Sequence, residues 1–72
     1  MTYVVTLRKH RSTWHYYTEN PQGGGFGSNH CGAKSVALGA ALRSVPAGAA
    51  YQLMTYHGET LVSSVSLVRE ES

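Results

Sequence analysis

The residues best suited to chemistry lie near the N-terminus, where basic side chains are followed closely by aromatic ones. Basic side chains attract phosphate or carboxylate groups, while aromatic rings stack on bases or bury area in a protein interface. This segment is therefore predicted to be a binding surface, for a protein partner or for single-stranded nucleic acid. The predicted binding residues are Arg8, Lys9, Arg11, Trp14, Tyr16 and Tyr17.

The chain offers little for catalysis. It has four glutamates and no aspartate, which removes Ser-His-Asp triads, aspartic dyads and most two-metal nucleases. The single cysteine, Cys31, excludes an internal disulfide and a zinc site built from several thiolates. None of the four histidines shows a recognisable ligand spacing with Cys31 or with another histidine. We therefore predict a protein that is not an enzyme and uses no metal or cofactor.

A second candidate segment combines glycines with a lysine. Residues 23–27 read Gly-Gly-Gly-Phe-Gly and predict a mobile loop, and Ser28 or Asn29 is the expected N-cap of a following helix. Lys34 stands near that helix start, where free amides and the helix dipole attract anions, so it is a candidate anion-binding residue. The phosphate-loop motif is incomplete because Ala33 stands where its second glycine belongs.

Strands on either side of this segment must position the binding residues. Residues 3–8 and 13–18 are rich in β-branched and aromatic side chains, which predicts two strands of a hairpin joined by a polar connection. A short third strand around Phe26 is an alternative to a fully mobile loop. Residues 51–56 predict a further strand that ends at a turn formed by His57 and Gly58.

The remaining residues predict one helix and one further element, which could be a strand or a helix. Residues 33–44 place small and aliphatic side chains on one side of a helix, and Pro46 ends it. Residues 60–68 are rich in valine, serine and threonine, which favours a strand, although their apolar spacing also fits a helix face. The elements follow the order β-β-(β)-α-β-β. They predict a single α+β domain over residues 1–72, with one helix packed on one face of a mainly antiparallel sheet of four to five strands.

The stretch of residues 29–65 resembles the ribonuclease H-like fold. In that family a glycine-rich strand leads through a polar turn into an alanine-rich helix, and a strand with a functional residue near its end follows. Here residues 26–29 lead into the helix of residues 33–42, and residues 51–56 supply the strand. The family's acidic metal ligands are missing, and the later strand ends in His57. The resemblance therefore implies a degenerate, truncated fold without metal chemistry.

The small size of the chain and its exposed sheet predict its oligomeric state. One helix cannot cover both faces of such a sheet, and residues 3–8 or 60–68 lack the lysines and prolines that protect sheet edges. We therefore expect a homodimer, formed through a sheet edge or the aromatic face. The chain also has no secretion signal and no apolar stretch of about 20 residues, which predicts a cytoplasmic protein without membrane contact.

The function predicted from these features is non-catalytic binding of a protein partner through an aromatic and basic sheet face. By type, the chain resembles the small accessory proteins of bacteriophages and mobile elements. Many of those are inhibitors, including anti-defence proteins. The alternative is a small module that binds single-stranded nucleic acid, with cations on phosphates and rings on bases.

Overall fold

The computed structural model describes residues 2–28 and 32–70 of the chain. These residues form one helix and five strands, so the chain is a small α+β domain, as predicted. Asn29 and Cys31 lie outside the described residues, and so does the N-cap expected at Asn29. The elements in chain order are β1 (Tyr3–His10), β2 (Thr13–Glu19), β3 (Gly25–Ser28), α1 (Lys34–Leu42), β4 (Ala50–His57) and β5 (Thr60–Val68).

The five strands form one mixed sheet with the order β3-β2-β1-β4-β5. β1 pairs in parallel with β4, while the other three pairs are antiparallel. The prediction of a mainly antiparallel sheet is corrected by the β1–β4 pair. Its cause is the crossover through α1, which returns the chain to the end of the sheet where β1 began. β1 is therefore the central strand, so residues 3–8 do not form an edge, and β3 and β5 are the edges.

Two turns differ slightly from those that the sequence predicts. β1 continues to His10, so the turn into β2 contains only Arg11 and Ser12, with Arg11 at a φ of 60°. β4 likewise continues through His57, and the turn into β5 is formed by Gly58 and Glu59. Glycine suits this place because Gly58 has a φ of 63°, a conformation that costs it little.

Part of the glycine-rich segment is a strand. Residues 25–28 pair with β2 as β3, which confirms the alternative of a short third strand around Phe26 and corrects the prediction of a mobile loop from Gly25 onward. Before β3, the side-chain oxygen of Asn20 accepts hydrogen bonds from the backbone amides of Gln22 and Gly24, at 2.9 and 3.0 Å. This side chain takes the place of a backbone partner and closes the turn between β2 and β3.

Helix α1 begins at Lys34, and Ala33 is its N-cap residue. Ala33 has an extended backbone with φ −79° and ψ 154°, and no side chain caps the helix. The prediction of Ser28 as N-cap is therefore wrong, because the helix starts five residues later than a cap at Ser28 requires. No helix within residues 2–28 and 32–70 is long and apolar enough to cross a membrane.

The core lies where α1 meets β1 and β2. Ala37 and Ala41 are fully buried in a cluster with Val5, Leu7 and Val45. Alanines on this side of the helix allow it to lie close to the strands, because they add little bulk between the two backbones. The buried side of α1 is the side that the sequence predicts.

Candidate binding surface

The pairing of β1 with β2 assigns every side chain of the hairpin to one of two faces of the sheet. Val5 and Leu7 belong to the core cluster with α1, and we call their side of the sheet the helix face. Thr6 and Arg8 alternate with them and lie on the opposite side, which we call the open face. No helix among the described residues contacts the open face.

The six predicted binding residues do not share one face. Arg8 and Tyr17 lie on the open face, since Tyr17 pairs with Thr6. The pairing divides the six residues between the two faces, because side chains in a strand alternate with a period of two, and binding through them stays a prediction. On the helix face are Lys9, Trp14 and Tyr16, and Arg11 lies in the turn between the strands.

Arg8 is held over an aromatic ring on the open face. Its guanidinium carbon lies 4.9 Å from the centre of the Tyr56 ring, in cation–π geometry. Tyr56 is adjacent because the parallel pairing of β1 with β4 places it opposite Arg8. The contact between Arg8 and Tyr56 is not predicted by the sequence, since the two residues are far apart along the chain and no local pattern links them.

Tyr17 is held against the glycines of β3. Its side chain is 46% exposed, yet its ring follows the strand so closely that Gly25 has no room for a Cβ atom and one on Gly27 would be in tight contact with the ring. A Cβ atom on Gly27 would lie 3.0 Å from Cδ2 of Tyr17, and one on Gly25 would lie 2.6 Å from Cζ. The glycines therefore provide a flat support that orients the ring while leaving much of it exposed to solvent.

A shallow depression of about 270 Å³ lies between these two features of the open face. This volume is slightly below the range of about 300–1,000 Å³ that is usual for small-molecule sites. The depression suits one protruding side chain or one base better than an enclosed ligand. Four of its lining residues, Thr6, Arg8, His15 and Tyr17, belong to the open face, and the fifth is Tyr16, which lies between His15 and Tyr17 in β2.

Positive charge is concentrated at one end of the sheet, which we call the basic end. β1 and β4 finish at this end and β2 and α1 start there, since β2 is antiparallel to β1 and α1 leads back to the start of β4. Of the described carboxylates only Glu59 lies there, because Glu19 and Glu70 lie at the other end. The basic end carries Arg8, Lys9, Arg11 and Lys34, four of the six lysines and arginines of the chain.

Aromatic rings and cations contact each other across this end. The Lys34 ammonium nitrogen lies 5.4 Å from the centre of the Trp14 ring, and the His57 ring lies 5.7 Å from it in an edge arrangement. His10 and His15 form a second edge contact, with ring centres 6.3 Å apart. These contacts join β1, β2, β4 and α1 at the basic end, and Lys34 is the cation that takes part in them.

Within residues 2–28 and 32–70, no cluster of three or more His, Cys, Asp or Glu side chains is placed to hold a metal ion. His30 and Cys31, the other candidates for such chemistry, lie outside the described residues. The role of Lys34 in anion binding stays a prediction, as its ammonium group faces Trp14 in this structure.

Comparison with known proteins returns no match, whether with family models, with curated protein sequences or with solved structures. The resemblance to the ribonuclease H-like fold therefore stays a prediction. Any assignment of function depends on the two faces and the basic end themselves.

Proposed function

We propose that the protein is a non-catalytic interaction module that binds a protein partner through its open face. The observation that carries this proposal is the pairing of an exposed, supported Tyr17 with Arg8 across a depression of about 270 Å³. Tyrosine and arginine are enriched among the residues that dominate binding energy, because each buries a large area and keeps a polar group. In this proposal α1 covers the opposite face and leaves this one for the partner.

The support of both side chains favours tight binding. Ordering a flexible side chain at an interface costs about 0.5–1.5 kcal/mol. Tyr17 is already restrained by the glycines of β3, and Arg8 by the ring of Tyr56. Much of this cost is therefore met during folding rather than during association.

The chemistry of the surface indicates the partner. Arg8 and the neighbouring basic end favour an acidic surface, and the depression accepts one protruding apolar or aromatic side chain. A module that binds such a surface without acting on it works by covering it. We accordingly propose an inhibitor or accessory protein of the bacteriophage type, which includes anti-defence inhibitors, acting in the cytoplasm.

The test is capture of a partner that depends on the open face. Tagged wild-type protein is incubated with bacterial lysate beside Tyr17→Ala, Arg8→Ala and the control Arg43→Ala, which removes an exposed arginine next to α1. We expect a stoichiometric protein that the wild type and Arg43→Ala retain and the two open-face variants lose. Capture that is equal in all four samples, or absent in all, would contradict the proposal.

The second candidate is a module that binds single-stranded nucleic acid, and the basic end is the observation that favours it. Four cations lie at this end, where Lys34 contacts Trp14 and Arg8 contacts Tyr56, and proteins that bind single strands likewise combine cations for phosphates with rings for bases. This candidate requires binding that weakens steeply with salt. The affinity for an acidic protein bound in the depression should instead depend more on Tyr17 than on the number of cations, and so less on salt.

A further inference from the structure

The edge strand β5, at the opposite side of the sheet from β3, lacks the usual protection of an edge. It is nine residues long and contains no charged residue and no proline. Edge strands normally carry such residues, because their unpaired backbone groups otherwise pair with another chain. One irregularity is present, a bulge where Tyr56 pairs with Leu61 and Thr55 with Ser63.

β5 also carries most of the exposed large hydrophobic side chains of the described residues. Five of its side chains are between 42% and 61% exposed. They occupy both faces, since Val65 and Leu67 share the helix face and Val68 and Leu61 share the open face. Packing of another layer on one face would cover only part of this set. The five are Leu61, Val62, Val65, Leu67 and Val68.

We propose that β5 pairs antiparallel with β5 of a second copy of this chain, joining two sheets into one of ten strands. Such a pair supplies backbone partners to the free edge and gives the side chains on both faces cross-strand neighbours. A twofold axis makes the contact self-complementary, so it closes with two copies and leaves no free β5 edge. This inference concerns a surface separate from the open-face depression, and it does not depend on the proposed function.

Charge favours a second copy at this edge and disfavours one at the basic end. Two basic ends repel each other, because each carries four cations and one described carboxylate. Two β5 strands do not repel each other, because β5 contains no charged residue. The antiparallel arrangement also brings Glu59, before β5 in one copy, toward the end of β5 in the second copy, where Arg69 lies. Arg69 is fixed there, since its side chain donates a hydrogen bond to the Val45 carbonyl.

The dimensions of β5 suit a stable dimer. Nine residues at about 3.4 Å each give a strand of about 30 Å, and the longest dimension of the molecule is 32 Å. A standard interface of about 800 Å² per partner would take roughly a sixth of the 4715 Å² surface. A groove of about 470 Å³ beside the end of β5 offers further area for side chains of the second copy. It is lined by Leu42, Tyr51, Leu67, Val68, Arg69 and Glu70.

The test is the mass in solution of wild-type protein and a matched pair of variants. Val65→Lys places two like charges close together across the proposed twofold axis. Val36→Lys makes the same substitution on the exposed side of α1, at a valine that is 57% exposed against 45% for Val65. At micromolar concentrations, light scattering should give wild type and Val36→Lys twice the monomer mass of 7.8 kDa. Val65→Lys should give the monomer mass.

If Val65→Lys does not fold, amide hydrogen exchange of the wild-type protein provides an independent test of the dimer. The β5 amides that point away from β4 should be protected at high protein concentration and lose protection on dilution. A wild-type mass of 7.8 kDa, or β5 protection independent of concentration, would overturn the proposal. Dissociation by Tyr17→Ala with retention of the dimer by Val65→Lys would also overturn it, in favour of association through the open face.

Discussion

Tyr17 and Gly25 share a space that admits only one side chain. A Cβ atom on Gly25 would lie 2.5 Å from the Tyr17 hydroxyl oxygen and 2.7 Å from the Thr18 carbonyl oxygen. Glycine normally weakens a strand, and an aromatic ring from the neighbouring strand compensates by covering its backbone. The composition of β3 and the orientation of Tyr17 on the open face therefore depend on each other.

Replacing Gly25 by alanine should displace the Tyr17 ring and weaken the sheet. Overpacking of this kind costs about 1–3 kcal/mol, so the free energy of unfolding in urea should fall by that amount. Capture of the partner should fall with it. Gly39→Ala is the control, because a Cβ atom there meets nothing within 4 Å. That helix position should gain about 0.8–1 kcal/mol. Unchanged stability and binding in Gly25→Ala would show that the ring is not held by β3.

The hydroxyl of Thr18 should be important for attaching α1 to the sheet. Thr18 is 2% exposed and its hydroxyl donates a 3.0 Å hydrogen bond to the carbonyl oxygen of Ala41. Thr18→Val removes this donor while the carbonyl keeps the 3.1 Å hydrogen bond from the Ser44 amide, so the cost should be that of one hydrogen bond, about 0.5–1.5 kcal/mol. Thr18→Ser keeps the donor and loses one methyl group, worth about 0.8 kcal/mol. Urea unfolding should therefore show a loss of stability for both variants, and an unchanged stability of Thr18→Val would contradict the role of this hydrogen bond.

Trp14 should distinguish the two candidate functions. It is the single tryptophan and lies on the helix face beside Lys34 and His57, away from the open-face depression. A protein partner in the depression should leave its emission nearly unchanged, provided that the partner lacks tryptophan. A nucleic acid lying across the basic end should quench it. Lys34→Ala should alter the emission of the free protein without affecting capture of a partner by the open face.

Nucleic-acid binding, if it is the function, should carry a defined salt dependence. Each phosphate contact contributes about 0.7 to the slope of log affinity against log salt for a single strand. Four cations at the basic end thus predict a slope near −3, and Lys9→Ala should reduce its magnitude by about 0.7. Arg43→Ala, away from that end, should leave it unchanged. Fluorescence polarisation with mixed-sequence oligonucleotides measures this, and no binding at low salt would remove the candidate.

The sequence predicts the local elements well because their signals are local. Alternation in residues 3–8 identifies β1, and the positions of Ala37 and Ala41 identify the buried side of α1. The apolar spacing within residues 60–68 also fits a helix face, and the structure shows a strand there. In these residues the content of β-branched side chains is a better predictor of the structure than the spacing of the apolar ones.

The site was predicted less well because it depends on contacts between distant residues. Arg8 meets Tyr56 only through the parallel pairing of β1 with β4, which leaves no pattern at short range. The cluster of six predicted residues was contiguous in the chain, but strand alternation divides it between two faces. The glycines after residue 24 indicated flexibility, whereas their absent side chains make room for Tyr17.

The central position of β1 also determines the order in which the chain can fold. β1 is synthesised first, and it can form the hairpin with β2 as soon as residue 19 is available. Its other side stays unpaired until β4 arrives, since Val5 pairs with Leu53, 48 positions later. The entropy of closing this large loop is lost before the contacts between β1 and β4 form, and this slows folding. The rate-limiting event should therefore be the arrival of β4 beside β1, and substitutions at Leu53 should slow refolding more than substitutions in the β1–β2 turn.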